Sequence, residues 1–271
     1  MKAVQVIGKM VLAFGICMVL SVAFNVVVML VLPDPETLPE HLVKLLNGPK
    51  SLFVILGAMV LMLLLFDRNR SWTFGWQGPR KLPLFSIGSL SGVMLVLLTV
   101  AAVYCAGEAE VVSYSFDSAI WVSFLVTTFL AACDAITEEL LFRGYMQGMV
   151  KSNYGAWAAI LLSTVPFAVS HALGHDVFSN PIILLNLALA GMFLALLREL
   201  SGSLWLPIGF HFAWNSFNDV FGTADSFITL RMGPNDWISG GTLGFDNGVA
   251  NTFIMLVLIV VLSFKLKRER A

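Results

Sequence analysis

The sequence predicts an all-α, polytopic membrane protein with about eight transmembrane helices, folded as a single integral membrane domain over residues 1–271. Of the 271 residues, 58% are hydrophobic and only 12% are charged, which is about half the charged fraction of a soluble domain. The mean hydropathy is +0.86, and apolar residues gather into runs that approach the roughly 20 residues a bilayer requires. With 16 basic and 17 acidic residues, the chain has no excess of positive charge for binding nucleic acid.

Eight apolar segments are candidate spans, and turn-rich stretches separate them. The first is too long for the apolar region of a signal peptide and lacks a clear cleavage site, so we expect it to be retained. The acidic stretch after the third span, GEAEVVSYSFD, is predicted to be a loop. The segments are 8–32, 51–66, 84–105, 118–137 and beyond, 156–173, 181–198, 207–222 and 248–264.

The fourth segment is too long for a simple span. From Ser118 to Val150 the chain is predominantly apolar for 33 residues, a straight helix of about 50 Å against a hydrocarbon core of about 30 Å. We therefore expect this segment to be tilted, broken or emergent from the bilayer. A zigzag of equal helices also places His171 and His211 towards opposite membrane faces, unless both lie near mid-depth or one helix is re-entrant.

Lysine and arginine residues mark one side of the predicted bundle. They flank the first span and follow the second, fourth, sixth and eighth spans, whereas the loop after the third span carries only acids. Because basic loops stay on the cytoplasmic side, we predict that both termini are cytoplasmic. The compact loops favour a bacterial cell membrane.

Ionisable and amide side chains interrupt several apolar segments. An ionisable group inside a transmembrane segment costs at least ~2.5–3.5 kcal/mol on insertion scales, so each one marks a candidate functional site. These groups concentrate in the stretches TEELLFRG, VPFAVSHA and IGFHFAWNSFND. They are Glu138, Glu139, Arg143, His171, His211, Asn215, Asn218 and Asp219, with Asp134 and Asn186 in addition.

Helical geometry separates the two adjacent glutamates. Glu139 and Arg143 are four residues apart and share a helix face, so they can neutralise each other as a structural pair. Glu138 is turned away by about 100° and has no cation at i+3 or i+4. It therefore needs a partner from another helix, either for catalysis or as a protonated carboxyl that ties helices together.

Distances along the chain predict a partner for Glu138. Glu138 lies 16 residues before the SNYG turn near residue 154, and His171 lies 17 residues after it. Both are about 24–26 Å from the turn and come level in an antiparallel hairpin. On the seventh segment, His211 and Asn215 are i, i+4 and stack on one face.

These groups suit the activation of a water molecule. A desolvated carboxylate can act as a general base, and histidine or asparagine donors can stabilise the oxyanion of a tetrahedral intermediate. Alternatively, Glu138, His171 and His211 form the two-histidine, one-carboxylate set of a catalytic zinc site. The sequence leaves open whether a metal or the side chains alone hold the water.

Three motifs resemble those of the CPBP family of intramembrane proteases, which includes type II CAAX prenyl endopeptidases and bacterial Abi proteins of bacteriocin processing or immunity. The family pattern is EExxxR, then FxxxH, then HxxxN. Here it occurs as EELLFR (138–143), FAVSH (167–171) and HFAWN (211–215). The resemblance covers about residues 80–222, which we interpret as the catalytic core.

The resemblance implies an endopeptidase that acts at or in the membrane, similar to CAAX prenyl proteases. Glu138 would activate water with His171 beside it, while His211 and Asn215 would bind the oxyanion. The supporting pair would be Glu139 and Arg143. A divalent metal such as zinc, held by Glu138, His171 and His211, is an alternative that the family also implies. The implied partners are membrane lipid and a peptide or lipidated protein substrate.

Two other functions are consistent with these residues. A non-catalytic immunity or scaffold protein could keep the protease fold and bind a partner, and its function would survive the loss of Glu138. A transporter or channel is disfavoured, because the polar residues concentrate at one place and no two-fold repeat is present. We expect Asp134 and His175 to be solvated, the first at a helix end and the second in a loop.

Overall fold

The structure, a computed structural model, describes residues 2–32, 38–172, 181–222, 226–241 and 244–270; His175 lies outside them. The helices are α1 (Lys2–Val31), α2 (Glu40–Leu65), α3 (Lys81–Cys105), α4 (Ser118–Glu138), α5 (Gln147–Tyr154), α6 (Ala156–Ala172), α7 (Pro181–Ser201), α8 (Trp205–Asn218), α9 (Asp236–Ser239) and α10 (Val249–Arg268). A π-helical segment, Glu139–Met146, joins α4 to α5.

The predicted all-α, polytopic membrane architecture is confirmed. In the described part of the chain, six helices are long and apolar enough to cross a membrane: α1, α2, α3, the continuous helix through α4 and α5, α7 and α10. The other two predicted spans are shorter helices, α6 with 17 residues and α8 with 14. The second span starts earlier than predicted, because α2 begins at Glu40 and continues through Pro49, which an apolar helix tolerates among its neighbours.

The long fourth segment is a continuous helix. α4, the π segment and α5 run over 37 residues, Ser118–Tyr154, which is about 55 Å at the rise of a helix. The predicted alternative that this helix is broken is therefore wrong. The helix ends at Gly155, whose φ of 81° lies in the left-handed region that favours glycine. Because α6 begins at the next residue, the α5–α6 hairpin is tight and antiparallel, as the SNYG turn predicted.

A small three-stranded sheet covers one end of the bundle. β1 (Ala109–Tyr114) pairs antiparallel with β3 (Ile228–Met232), and β2 (Phe221–Gly222) pairs with β3 in parallel. The prediction of a loop over GEAEVVSYSFD was therefore wrong. The consecutive valines of AEVVSY favour a strand, but the strand that completes it lies about 120 residues later in the chain.

A close crossing of α3 and α8 fixes the position of α8. A methyl group at Gly88 of α3 would overlap the carbonyl of Leu206, and one at Gly209 of α8 would overlap the carbonyl of Phe85. Small residues allow such close approach of membrane helices. His211 is two residues from Gly209, so this crossing also places His211.

Charged side chains join several helix ends at the end of the bundle opposite to the sheet. Glu199, near the end of α7, lies 2.8 Å from Lys151 of α5 and accepts a 2.6 Å hydrogen bond from Arg270, which follows α10. Asp67, just after α2, lies 2.5 Å from Lys9 of α1. The predicted basic loops thus share one end of the bundle, as the orientation prediction requires. The compartment that this end faces stays a prediction.

Candidate active site

Glu138 and Glu139 lie where the helix changes its winding. Glu138 is the last residue of α4, and Glu139 begins the π segment, at whose end the Gln147 N–H donates to the Phe142 carbonyl five residues earlier. π-helical turns are rare and occur frequently at functional sites. The side chain of Glu138 is 26% exposed and that of Glu139 is 0% exposed. The two neighbouring carboxylates therefore have different surroundings.

Glu139 connects three helices. Its Oε1 accepts hydrogen bonds from Arg143 Nη1 at 2.9 Å and from His211 Nδ1 at 3.1 Å. Arg143 is fully buried, and its Nη2 donates to the Gly191 carbonyl of α7 at 3.0 Å. The predicted Glu139–Arg143 pair is therefore present. The bond to His211 was not predicted, because no helical spacing relates residues 72 apart in the chain.

Glu138 meets both histidines. Its Oε2 lies 3.2 Å from His171 Nε2 and 3.9 Å from His211 Nε2. Glu138 and His171 lie side by side across the hairpin, which confirms the prediction from their distances to the turn. Both histidines reach Glu138, so they do not lie towards opposite faces of the membrane. Neither contact has hydrogen-bond geometry, so Glu138 Oε2 has no hydrogen-bond partner in the described part of the chain. Two ring nitrogens thus converge on one carboxylate oxygen that lacks a hydrogen-bond partner in that part of the chain.

A backbone contact fixes the proton on one nitrogen of His171. Nδ1 lies 2.9 Å from the Phe167 carbonyl oxygen, and since a carbonyl only accepts, Nδ1 must carry hydrogen. In the neutral ring, Nε2 would then direct a lone pair at the carboxylate of Glu138 from 3.2 Å. This contact is favourable only if one proton lies on the pair, as carboxylic acid or as imidazolium. The pair is therefore equipped to accept and release a proton.

Phe167, the first residue of FxxxH, packs between two residues of the site. Its ring centroid is 4.3 Å from the His171 ring centroid and 4.2 Å from Arg143 Cζ, the latter a cation–π contact. A methyl group at Gly191 would lie 3.0 Å from the Phe167 ring, so any larger residue in α7 would have to displace this ring. Sequence reasoning gave Phe167 no role of its own, because a lone aromatic residue in an apolar helix indicates core packing equally well.

A cavity of about 440 Å³ leads from the histidines to the end of the bundle that carries the sheet. Its inner wall includes His171, His211 and Asn215. Its outer wall includes Asp219, which follows α8, and the short 3₁₀ turn Phe245–Asn247. Asn215 therefore faces the same space as His211, one turn further along α8.

The opposite direction is filled by packed side chains. Phe142, Tyr145, Met146 and Met149 are each at most 3% exposed, and they lie between Glu139 and the Glu199 end of the bundle. Tyr145 also donates a 2.7 Å hydrogen bond to the buried Asp67 carboxylate. Within the described residues, the site therefore opens towards the sheet and is closed towards the basic end.

The remaining predicted polar residues do not contact the two histidines. Asn186 and Asn218 belong to the outer wall: the Asn186 amide donates to the Asp246 carbonyl at 3.2 Å, and the Asn218 amide donates to Asp246 Oδ2 at 3.0 Å. Asp134 lies one turn before Glu138 on α4, near enough for their charges to interact. It is half-buried, so full solvation at a helix end is wrong.

The described side chains do not form a metal site as they stand. No group of three or more His, Cys, Asp or Glu side chains among the described residues is arranged to hold a metal ion. The candidate donors of Glu138 and His171 contact each other instead. Both Nε2 atoms do face Glu138 while both Nδ1 atoms are hydrogen-bonded, an arrangement that metal-bound histidines commonly show. Zinc binding by Glu138, His171 and His211 stays a prediction.

Comparison with protein families identifies the segment that contains this site. Residues 118–217 match the family described as type II CAAX prenyl endopeptidase, Rce1-like. This match supports the assignment of the segment to the CPBP/CAAX protease family. Comparisons with the curated proteins and with the solved structures found no match.

The CAAX protease segment and the rest of the chain build different parts of the cavity. The segment carries all three motifs and thus the inner wall. The 3₁₀ turn Phe245–Asn247 and α10 lie outside the matched segment and complete the outer wall. The family match therefore covers the residues around Glu138, whereas much of the cavity mouth is formed by residues after the matched segment.

Proposed function

We propose that the protein is an intramembrane endopeptidase that hydrolyses a peptide bond with a water molecule activated by Glu138 and His171. The observation that carries the proposal is the convergence of the Nε2 atoms of His171 and His211 on Glu138 Oε2, because the side chains of both histidines also line the cavity. The match of residues 118–217 to the type II CAAX prenyl endopeptidase family supports peptide hydrolysis as the reaction.

In the first step, the Glu138 carboxylate takes a proton from water while the water oxygen bonds to the carbonyl carbon of the scissile peptide bond. The Glu138–His171 pair holds one proton, so this step requires that proton to be on His171, which leaves the carboxylate free to accept. A positioned general base typically contributes about 10²–10⁴-fold to a reaction rate.

In the second step, His211 and Asn215 stabilise the oxyanion of the tetrahedral intermediate. Because Nδ1–H of His211 donates to Glu139, its Nε2 can donate to the oxyanion only when the ring is doubly protonated. The Asn215 amide donates in any state. When the intermediate collapses, the C–N bond breaks and Glu138 returns the proton to the leaving amine nitrogen.

Glu139 and Arg143 act as positioning residues in this proposal. Both side chains are 0% exposed, so neither can touch the substrate. Glu139 holds the His211 ring through Nδ1, and Arg143 holds Glu139 and the α7 backbone. The buried pair thereby sets the distance between His211 and Glu138.

The substrate reaches this site from one side of the membrane. The distribution of Lys and Arg predicts that the end with Glu199 is cytoplasmic, and the cavity opens at the other end. We therefore propose that a peptide or lipidated protein enters from the outer face of the membrane.

Cysteine labelling tests this orientation in a variant without the three native cysteines. Asn247→Cys at the cavity mouth should react with a membrane-impermeant maleimide in intact cells, whereas Lys267→Cys should react only after lysis. The reverse pattern would reject the proposed side of substrate arrival.

The decisive test of the proposed chemistry replaces Glu138. Glu138→Gln should lower peptide cleavage by the purified protein by about 10²–10⁴-fold, with an unchanged melting temperature because the side chain keeps its size. Mass spectrometry of peptide termini in cells that express either form would identify natural substrates. Glu110→Gln, which removes an exposed carboxylate on β1, is the control and should leave cleavage unchanged.

Full cleavage by purified Glu138→Gln would reject the proposed role. Survival of a cellular function in the same variant would instead favour the immunity or scaffold function. Metal analysis of the purified wild-type protein distinguishes this mechanism from the zinc alternative, because about one zinc ion per chain would support a single catalytic zinc site.

A further inference from the structure

The outer half of the cavity differs in chemistry from its catalytic end. Four residues near the mouth line it with carboxylate and amide groups: Asn218, Asp219, Asp246 and Asn251. We call these four residues the outer chamber. They come from α8, the 3₁₀ turn and α10, so three separate elements direct polar groups at one space.

Two amide oxygens of the outer chamber lack a hydrogen-bond partner. The Asn251 side chain donates from Nδ2 to the Asp246 carbonyl at 2.7 Å, and the Asn218 side chain donates from Nδ2 to Asp246 Oδ2 at 3.0 Å. Because the amide nitrogens are used, the oxygens point elsewhere, and both are buried without a partner among the described residues. Asn251 is only 3% exposed. A buried acceptor left unsatisfied costs about 1–3 kcal/mol, so the chamber favours a ligand that donates hydrogen bonds.

The charges of the outer chamber point to the same kind of ligand. Asp219 and Asp246 contribute carboxylates that already accept hydrogen bonds from neutral groups: Asp246 from the Asn218 and Asn247 amides, and Asp219 from the Thr127 hydroxyl. Among the described residues that line the cavity, none is a Lys or Arg. Lys44 acts on the Asp219 charge, but it lines a separate cavity beside α4. A free substrate carboxylate would therefore meet acceptors and negative charge, whereas a Lys or Arg side chain would meet matching partners.

The distance to the catalytic centre sets the register of a bound peptide. His211, Asn215 and Asn218 follow one another at i, i+4 and i+7 on α8 and line the same cavity. Seven residues of helix rise about 10 Å, which an extended peptide covers in about three residues. A side chain in the outer chamber would thus lie about three residues from the scissile bond.

We propose that the outer chamber is a specificity subsite for a Lys or Arg side chain of the substrate, about three residues from the scissile bond. This inference rests on the proposed function in taking a peptide as the ligand. It names the substrate class as a peptide that carries a basic residue on the side of the scissile bond nearer the membrane surface.

Binding tests the subsite without requiring cleavage. Fluorescent peptides with one variable position, Lys, Gln or Glu, would be titrated into detergent-solubilised Glu138→Gln protein and followed by anisotropy. The Lys peptide should bind about tenfold more tightly than the Gln peptide, as expected for charge-assisted hydrogen bonds, and the Glu peptide should bind most weakly. Asp219→Asn and Asn251→Leu, each built on the Glu138→Gln protein, should remove most of this preference.

Glu110→Gln on the same background is the matched control, because it removes one carboxylate at the same end of the molecule but outside the cavity. Equal affinity for the three peptides, or an unchanged preference in Asp219→Asn, would overturn the subsite. A library of such peptides incubated with wild-type protein then locates the cleaved bonds. Cleavage without enrichment of Lys or Arg three residues away would reject the subsite and support the protease. Selective binding without cleavage would support the subsite and reject the protease.

Discussion

The bundle has a closed half that runs from Glu139 to Glu199 and an open half that runs from Glu138 to Asp246. In the closed half, each carboxylate has a cation beside it: Arg143 beside Glu139, and Lys151 beside Glu199. In the open half, Glu138 Oε2 meets the Nε2 atoms of two histidines and forms no ion pair with a Lys or Arg among the described residues. Buried polar atoms without a hydrogen-bond partner occur in both halves of the described chain: Glu138 Oε2 and the amide oxygens of the outer chamber in the open half, and Glu139 Oε2, Arg143 Nε and Gln147 Oε1 in the closed half. The boundary between the halves passes between two consecutive residues.

One membrane helix thus holds two neighbouring carboxylates in different settings, Glu139 paired with an arginine and Glu138 in contact with two histidines. A buried charge is tolerated when it is paired, and the pair then ties helices together. Glu138 instead contacts two histidines, and because imidazole can gain or lose a proton, this carboxylate can exchange a proton with its partner. Replacements in the closed half should therefore lower stability first, and replacements in the open half should lower activity or selectivity first.

The largest loss of stability is expected for Glu139→Gln. Removing one partner of a buried ion pair leaves Arg143 as an uncompensated charge and typically costs about 3–5 kcal/mol. We expect a lower melting temperature and a lower yield of folded protein, measured by thermal unfolding in detergent. Glu138→Gln is the control because it alters the neighbouring carboxylate, and equal melting of the two variants would contradict the division into halves.

An intermediate effect is expected for Gly209→Val at the crossing of α3 and α8. The added side chain overlaps the Phe85 backbone, and overpacking of this kind typically costs about 1–3 kcal/mol. Because α8 must shift, His211 should move away from Glu138 and cleavage should fall by more than the loss of folded protein explains. Gly15→Ala on α1, where a methyl group meets open space, should change neither quantity.

A smaller effect is expected for Glu199→Gln at the basic end. The Glu199 side chain is only 1% exposed, but its partners Lys151 and Arg270 are 45% and 37% exposed. Water can therefore hydrate both cations when the carboxylate is lost, and the loss should be about 1 kcal/mol. The melting temperature should fall slightly, and the difference from wild type should shrink at high salt. Arg231→Gln, which breaks an exposed pair with Glu110, is the control. A larger fall in melting temperature for Arg231→Gln than for Glu199→Gln would contradict this prediction.

The sequence predicts the groups of the candidate site better than it predicts what surrounds them. Spacing within one helix predicts the Glu139–Arg143 pair. Within one hairpin, the helical rise of 1.5 Å per residue predicts that Glu138 and His171 lie side by side. The bond from His211 to Glu139 and the β1–β3 pairing join distant parts of the chain, and no local periodicity reports them. The π-helical winding at Glu139 is likewise invisible to a pattern based on the α-helix.

The helices that carry the two histidines are shorter than the membrane is thick. α6 has 17 residues and α8 has 14, about 25 Å and 21 Å of helix against a hydrocarbon core of about 30 Å. Bilayers accommodate short apolar helices by thinning locally, and α6 exposes Leu161, Val165 and Val169 where lipid would lie. Headgroups and their hydration should therefore be drawn inwards near His171, one residue from the end of α6. The proposed hydrolysis would consume water in an apolar setting, so the thickness of the surrounding lipid would control how readily water reaches the site.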